Sequence, residues 1–330
     1  MYLDFYGFNE MPFKLTPDPK FLYQTAAHRE VLAQLLYGVQ QSKGFIALTG
    51  EIGTGKTTLL HTMMKRLAES ASVAFLFNST LSFDGLLEYI LEDFGISAPG
   101  ATTQAQRLFA LNNFLIERRR LGQSAVLILD EAQNLDPKTL EQIRLLSNFE
   151  TPHEKLLQIL LVGQPELRAK LNLPELRQLK QRIALSCSIR PLTAAEVHQY
   201  ILTRLRIAKG RDLGIFTEKA VAKIAAYSGG IPRVVNIVCD HCLVIGYADQ
   251  ERRIGPDIVD QAIATLEEGA LPRRRARAAA GIGSSARMTF VHWVLATSFG
   301  LVLGAAVSLS LRSDAGYFQA LARSARSLFW

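Results

Sequence analysis

The chain has 330 residues, 48% of them apolar, which allows about two domains and a large core. Its net charge of +7 is unevenly placed: residues 1–270 carry 29 basic and 29 acidic side chains, whereas 271–330 carry eight arginines and one acid, Asp314. The globular part is therefore neutral and gives no footing for a DNA-binding surface, and three cysteines (Cys187, Cys239, Cys242) are too few and too oddly numbered for a disulfide framework.

The first five residues, Met1–Phe5, hold no basic region followed by an apolar stretch, so a secretory signal is not expected. Residues 1–40 form an aromatic arm, with Phe5, Tyr6, Phe8, Phe13, Phe21 and Tyr23. Pro17 and Pro19 keep its middle out of a helix. The arm is expected to pack on the main domain, either as plain packing or as one wall of an adenine pocket. From His28 to Val39 the apolar positions take helical spacing.

A short apolar strand, Phe45–Thr49, then runs into Gly50, Glu51, Ile52, Gly53, Thr54, Gly55, Lys56, Thr57 and Thr58, followed by an amphipathic helix to about Ala68. This is the G-x-x-x-x-G-K-[ST] pattern between a strand and a helix. The glycines let backbone N–H groups turn inward around phosphate oxygens, and the helix N-terminus favours the same anion. Lys56 would reach the terminal phosphates, and the Thr57 hydroxyl would ligate Mg²⁺.

Four more apolar runs follow, Val73–Phe77, Ala125–Leu129, Leu157–Val162 and Ile183–Ile189, with helical stretches at about 84–94, 103–119, 138–148 and 165–180 between them. Alternating strands and helices with continuously apolar strands predict a parallel sheet covered on both faces. The third run ends in Asp130 and Glu131. In a parallel sheet the functional crevice lies beyond the C-terminal strand ends. Asp130 is therefore expected to hold Mg²⁺ through water, and Glu131 to polarise an attacking water. Gln164 ends the next run and is expected to sense the γ-phosphate from between the two acidic and glycine-rich motifs. Asn78, Ser79 and Thr80 end the second run, beside the crevice. Arg177 and Arg182 precede the last strand and could reach a neighbouring subunit's γ-phosphate in trans.

From Pro191 the strands stop. Thr193 and Glu196 form a capping box opening a helix to about Ala208. Further helices run over 217–227, 232–247 and 256–268, so 191–270 is a small all-helical domain. Arg233 sits on the first turn of one of these helices, where it could close onto bound nucleotide. Cys239, His241 and Cys242 invite a zinc reading, but a structural zinc needs four ligands and no second cluster exists. Residues 271–288 are a basic linker. Residues 289–311 are uncharged, about 34 Å long as a helix, and predict a transmembrane span with the N-terminal side cytoplasmic. A tail of about 19 residues, 312–330, is too short for a domain.

Residues 17–23, 50–58, 129–135, 140–148, 162–167 and 229–233, in this order and spacing, resemble the AAA+ ATPases of the general secretion pathway protein A type. Similar ATPases occur in pilus biogenesis and in exosortase-linked exopolysaccharide loci. The resemblance covers about residues 1–270. It implies a P-loop α/β core with a helical lid, ATP and Mg²⁺ as ligands, a homo-oligomer that depends on nucleotide, and an inner-membrane partner in envelope assembly. It carries functional positions onto Lys56, Thr57, Asp130, Glu131, Gln164, Arg233 and Arg182. With the span, it implies a single-pass protein of the bacterial inner membrane with its ATPase domain cytoplasmic. Direct peptidoglycan binding is not expected, because no C-terminal domain follows. The alternative reading is a DNA-targeting regulator similar to the ATP-dependent partners of transposases.

Overall fold

The computed structural model describes residues 2–16, 18–21, 23–77, 82–97, 100–209 and 213–268. These fall in one unit, Met1–Pro272; a second unit, Arg273–Trp330, lies outside the described residues. Among the described residues five strands form one sheet: β1 (Phe45–Gly50), β2 (Ala71–Leu76), β3 (Ser124–Leu129), β4 (Leu157–Gly163) and β5 (Ile183–Ile189). Their order is β2-β3-β4-β1-β5 and every pairing is parallel.

Among the described residues eight α-helices precede the lid in the chain: α1 (Tyr2–Tyr6), α2 (Ala26–Gln40), α3 (Lys56–Leu67), α4 (Phe83–Asp93), α5 (Gln104–Arg120), α6 (Pro137–Leu146), α7 (Pro165–Leu171) and α8 (Arg177–Arg182). Because strand side chains alternate faces, the sheet feeds two cores. Leu127, Leu129, Ile159 and Leu161 meet α4 to α8 on one side. Leu48, Val126, Ile128 and Val162 meet α2 and α3 on the other. Both faces are covered, as the apolar runs predict.

Where a single helix over 165–180 is expected, the chain breaks twice. Helix α7 caps at Asn172, a 3-10 turn spans Pro174–Leu176, and α8 follows. Pro174 brings no N–H and pushes Leu173 into extended backbone, which ends the first helix. The break turns Leu171, Leu176 and Leu179 all toward the core.

Helices α9 (Ala194–Ile207), α10 (Glu218–Ser228), α11 (Pro232–Ala248) and α12 (Pro256–Glu268) share a core of their own and are called the lid below. The predicted capping box at Thr193 and Glu196 is present, and Gly229 closes α10 in the left-handed region. The arm differs from expectation. Tyr2, Tyr6, Phe8 and Phe13 are buried in the lid core, not against the sheet. The Tyr6 hydroxyl donates to the Glu251 carbonyl at 3.0 Å, and the Asn9 N–H to the Ala208 carbonyl at 2.9 Å. Four helices of this size bury too little apolar surface alone, and the arm's aromatics complete their core. Of the arm's described helices, α2, after the prolines, packs on the sheet.

The expected localisation is corrected. Among the described residues no helix is long and apolar enough to cross a membrane. The longest, α5 and α11, have 17 residues each, short of the roughly 20 apolar residues a span needs. The single-pass inner-membrane placement rested on 289–311, which, with the linker and tail, lies outside the described residues.

Candidate nucleotide site

Strand β1 ends at Gly50, where a Cβ would stand 2.9 Å from the Ile189 carbonyl oxygen of β5. Gly53 and Gly55 have φ of +80° and +96°, the left-handed region that glycine enters without cost. Helix α3 opens directly after Gly55, so its first N–H groups face the loop's interior. Lys56 is buried and donates from Nζ to the Gly50 and Glu51 carbonyls, at 2.8 and 3.1 Å. Burial pulls its ammonium down, against the fields of Glu131 and Asp130. Thr54 is buried and ties its hydroxyl to the Glu51 carbonyl at 2.8 Å. Glu51 and Ile52 stand exposed at the loop's tip, and Thr58, the third residue of α3, is half-buried.

Beyond β3, Asp130 is buried, and burial pushes its carboxyl up. Its Oδ2 accepts from the Thr57 hydroxyl at 3.2 Å and its Oδ1 from the Glu131 N–H at 2.9 Å. Glu131 has φ 52° and ψ 36°, a strained setting for a residue with a Cβ. Its Oε2 accepts from the side-chain amides of Gln133 at 2.5 Å and Gln164 at 3.1 Å. The Gln164 N–H in turn donates to Gln133 Oε1 at 3.1 Å. The sheet order explains this meeting. Strand β4 lies between β3 and β1, so Gln164 sits between the acids and the phosphate loop. Gln133 was not singled out from the sequence, although it lies two residues past Glu131.

The lid supplies the opposite wall. The Arg233 N–H, on the first turn of α11, donates to the Gly53 carbonyl at 3.2 Å. A Cβ on Gly53 would come 2.5 Å from the Arg233 Cβ. Within the lid, Gly230 packs tightly on the segment before α9, since a Cβ there would fall 1.9 Å from the Leu192 carbonyl oxygen. A cavity of about 210 Å³ runs between the phosphate loop, Glu131, the arm at Leu15 and Phe21, and the lid at Tyr200 and Arg233. The arm thus forms one wall of it.

His28, at the start of α2, also lines the cavity and is buried. Its Nδ1 lies 2.8 Å from the Thr25 hydroxyl, and its Nε2 lies 3.4 Å from the Thr54 carbonyl. The Nε2–H tautomer satisfies both, donating to the carbonyl and accepting from Thr25. Burial holds the imidazole below its ordinary value of 6.5. As pH falls, the unfolded chain therefore protonates first. The stability from neutral His28 is present above about pH 6.5 and is lost as pH drops through its folded value. Between about pH 7.5 and 5 the Tm of the natural chain is expected to fall more steeply than that of His28→Gln, as thermal denaturation would record.

Arg182 does not line this cavity. Its Nη1 donates to Ser147 Oγ at 2.6 Å and Asn148 Oδ1 at 2.8 Å, beyond the end of α6. Arg177 is exposed on α8. Asn78, Ser79 and Thr80 lie outside the described residues. Cys239 and Cys242 are buried in the lid core, where burial pushes both thiols up, and no group of three or more metal-ligating side chains occurs among the described residues.

Residues 39–171, which hold the phosphate loop, Asp130, Glu131 and Gln164, match an AAA domain family model. General secretion pathway protein A of Aeromonas hydrophila is 40% identical over 254 residues, 77% of this chain and 46% of that protein. The chain carries an AAA+ ATPase domain and is similar to general secretion pathway protein A. It spans about half the length of that curated relative. Solved structures share the AAA+ fold at lower identity. Cdc6p of Pyrobaculum aerophilum superposes with a TM-score of 0.59 at 19% identity, covering 77% of this chain and 70% of that one. The ORC2 protein of Aeropyrum pernix, solved in ADPNP and ADP complexes, gives 0.58 at 16%, covering 80% and 73%. In this AAA+ ATPase the lid extends beyond the part that the AAA domain model matches.

Proposed function

We propose that the chain is a Mg-ATP hydrolase whose cycle drives assembly or operation of a cell-envelope secretion, pilus or exopolysaccharide export system. One observation carries the chemistry: Lys56, Thr57, Asp130, Glu131 and Gln164 converge at the C-terminal edge of the sheet, bonded to one another or to the loop. The envelope role rests on the similarity to general secretion pathway protein A.

The donor set fits Mg²⁺. Thr57 and Asp130 bring two hard oxygens within 3.2 Å of each other, and no ion pair of Asp130 occurs among the described residues. When bound, the ion would supply charge neutralisation at the phosphates. Lys56 would exchange the Gly50 and Glu51 carbonyls for phosphate oxygens. Glu131 would orient the attacking water and take its proton. Gln164, bonded to Glu131 in this structure, would report the γ-phosphate, and Arg233 would draw the lid onto the nucleotide.

Arg182, remote from its own subunit's cavity, would serve a neighbour's site in a homo-oligomer. Arg182→Ala is then expected to bind nucleotide normally but turn over at least about tenfold more slowly. Mixing it with Lys56→Ala should restore part of the activity, because each variant supplies what the other lacks; phosphate release from the mixture checks this.

The test of the reading is phosphate release from the purified chain with Lys56→Ala as control, with and without components of the export machinery. Turnover that vanishes in Lys56→Ala and rises with those components supports the proposal. Strong stimulation by duplex DNA instead would overturn the envelope role in favour of a DNA-targeting regulator.

A further inference from the structure

Arg204, on α9, is a buried arginine without a carboxylate partner among the described residues. A buried charge is costly unless it is fully hydrogen-bonded. Here Nε donates to the Pro12 carbonyl at 2.6 Å, Nη2 to the Lys14 carbonyl at 3.2 Å, and Nη1 to the Tyr200 hydroxyl at 2.7 Å. The guanidinium also lies 4.8 Å from the Phe21 ring centre and 5.5 Å from that of Tyr200. Its partners thus come from the arm and from its own helix. A leucine at this position would fill the lid core as well, so packing alone does not call for an arginine. A planar fork that holds two carbonyls of an irregular segment does.

The network continues. The Tyr200 hydroxyl donates to Asn236 Oδ1 at 2.8 Å, and all three side chains are buried. Asn236 stands about one turn along α11 from Arg233, whose N–H is held by the Gly53 carbonyl of the phosphate loop at 3.2 Å. An unbroken path therefore runs from the phosphate loop through α11 and α9 to arm residues 12–14. Leu15 and Thr16, next in the chain, wall the nucleotide cavity, which Tyr200, Arg204 and Asn236 also line.

We infer that Arg204, with Tyr200 and Asn236, is a positioning residue for nucleotide binding: it fastens the arm wall of the cavity to the lid, so that both close on the ligand as one piece. The inference rests on the ATPase reading above. It gives the arm's proline-containing segment a function beyond completing the lid core, since that segment would follow every lid movement.

The test uses the full chain, ATP turnover, and trypsin cleavage after the exposed Lys14 and Lys20, with and without a non-hydrolysable ATP. In the natural chain the nucleotide should slow cleavage at both lysines. In Arg204→Met, KM for ATP should rise about tenfold with kcat within about twofold, because two or three buried hydrogen bonds are lost away from the reacting atoms. Nucleotide should no longer protect Lys14 and Lys20 in that variant. Arg204→Met with a lowered Tm but natural KM and natural protection would overturn the inference, leaving Arg204 a purely structural residue. Should Arg204→Met not fold, Tyr200→Phe decides: KM raised about threefold together with lost nucleotide protection of Lys14 and Lys20 supports the fastening, and natural protection of the two lysines sinks it. A natural chain that neither binds nor hydrolyses ATP overturns the ATPase reading itself, which is distinct from an active chain whose variants behave identically.

Discussion

Replacing Glu131 with Gln is expected to lower ATP turnover by at least about 100-fold while leaving nucleotide affinity within about threefold, because a positioned general base contributes roughly 10² to 10⁴. The substitution is nearly isosteric and keeps one oxygen for the amides of Gln133 and Gln164, which now meet at Glu131 Oε2. It also keeps the Glu131 N–H on Asp130 Oδ1, so the left-handed backbone at φ 52° remains anchored. What it removes is the ability to accept a proton. Asp130→Asn should behave differently, since it removes the charge beside the Thr57 hydroxyl and so weakens Mg-ATP binding as well as turnover. Phosphate release and titration with a fluorescent ATP analogue separate the two effects. Should Glu131→Gln keep more than about a third of the natural turnover, the general-base role is wrong. The same variant offers a practical tool, because a chain that binds but does not hydrolyse should hold the oligomer and its partner together for crosslinking.

The sheet and the chemistry at its edge were legible because they are written locally. The five apolar runs begin and end within about two residues of the observed strands, and three of them close on glycine or a carboxylate (Gly50, Asp130, Gly163) where the chain leaves the sheet. The phosphate loop, Asp130, Glu131 and Gln164 stand at strand ends, so a parallel sheet brings them together with no further information. The order β3-β4-β1 was not legible, yet it is what seats Gln164 against Glu131. Register and order are set by contacts between residues more than 30 apart, such as Leu48 with Val162, and no local pattern records them.

The missed features share that cause. His28 looked like one polar position at the start of an amphipathic helix, and only the fold carries its Nε2 to the Thr54 carbonyl. The arm's aromatics predicted burial correctly but not against what, because Tyr6 finds Glu251 and Arg204 finds Pro12 across separations of about 190 residues or more. Arg204 itself carries no local signal, since arginine in an amphipathic helix is most simply a solvated residue. The break at Pro174 was, by contrast, written in the sequence: a proline inside an expected helix ends it at the residue before.

Gly53→Ala is expected to weaken nucleotide binding by about 30-fold or more, through two costs that add at one atom. The first is backbone strain: at φ +80° a residue with a Cβ loses roughly 1–2 kcal/mol. The second is displacement of the lid. The new methyl would stand 2.5 Å from the Arg233 Cβ and 3.2 Å from Ile231 Cγ2, and overpacking of this kind costs about 1–3 kcal/mol. The Arg233 Cβ belongs to the first turn of α11 and cannot swing aside as a flexible side-chain tip would. Either α11 or the loop must move, and the bond from the Arg233 N–H to the Gly53 carbonyl is strained with it. Gly95→Ala supplies the comparison. Gly95 also has a positive φ, +68°, but a Cβ there meets nothing within 4 Å. It should therefore lower Tm by strain alone and leave nucleotide affinity unchanged. Measuring Tm and Kd for both variants isolates the lid's share. If Gly53→Ala binds nucleotide no more weakly than Gly95→Ala, the approach of α11 to the phosphate loop is not part of the nucleotide-bound state. Arg233 would then have to reach the ligand, if at all, from a more open lid.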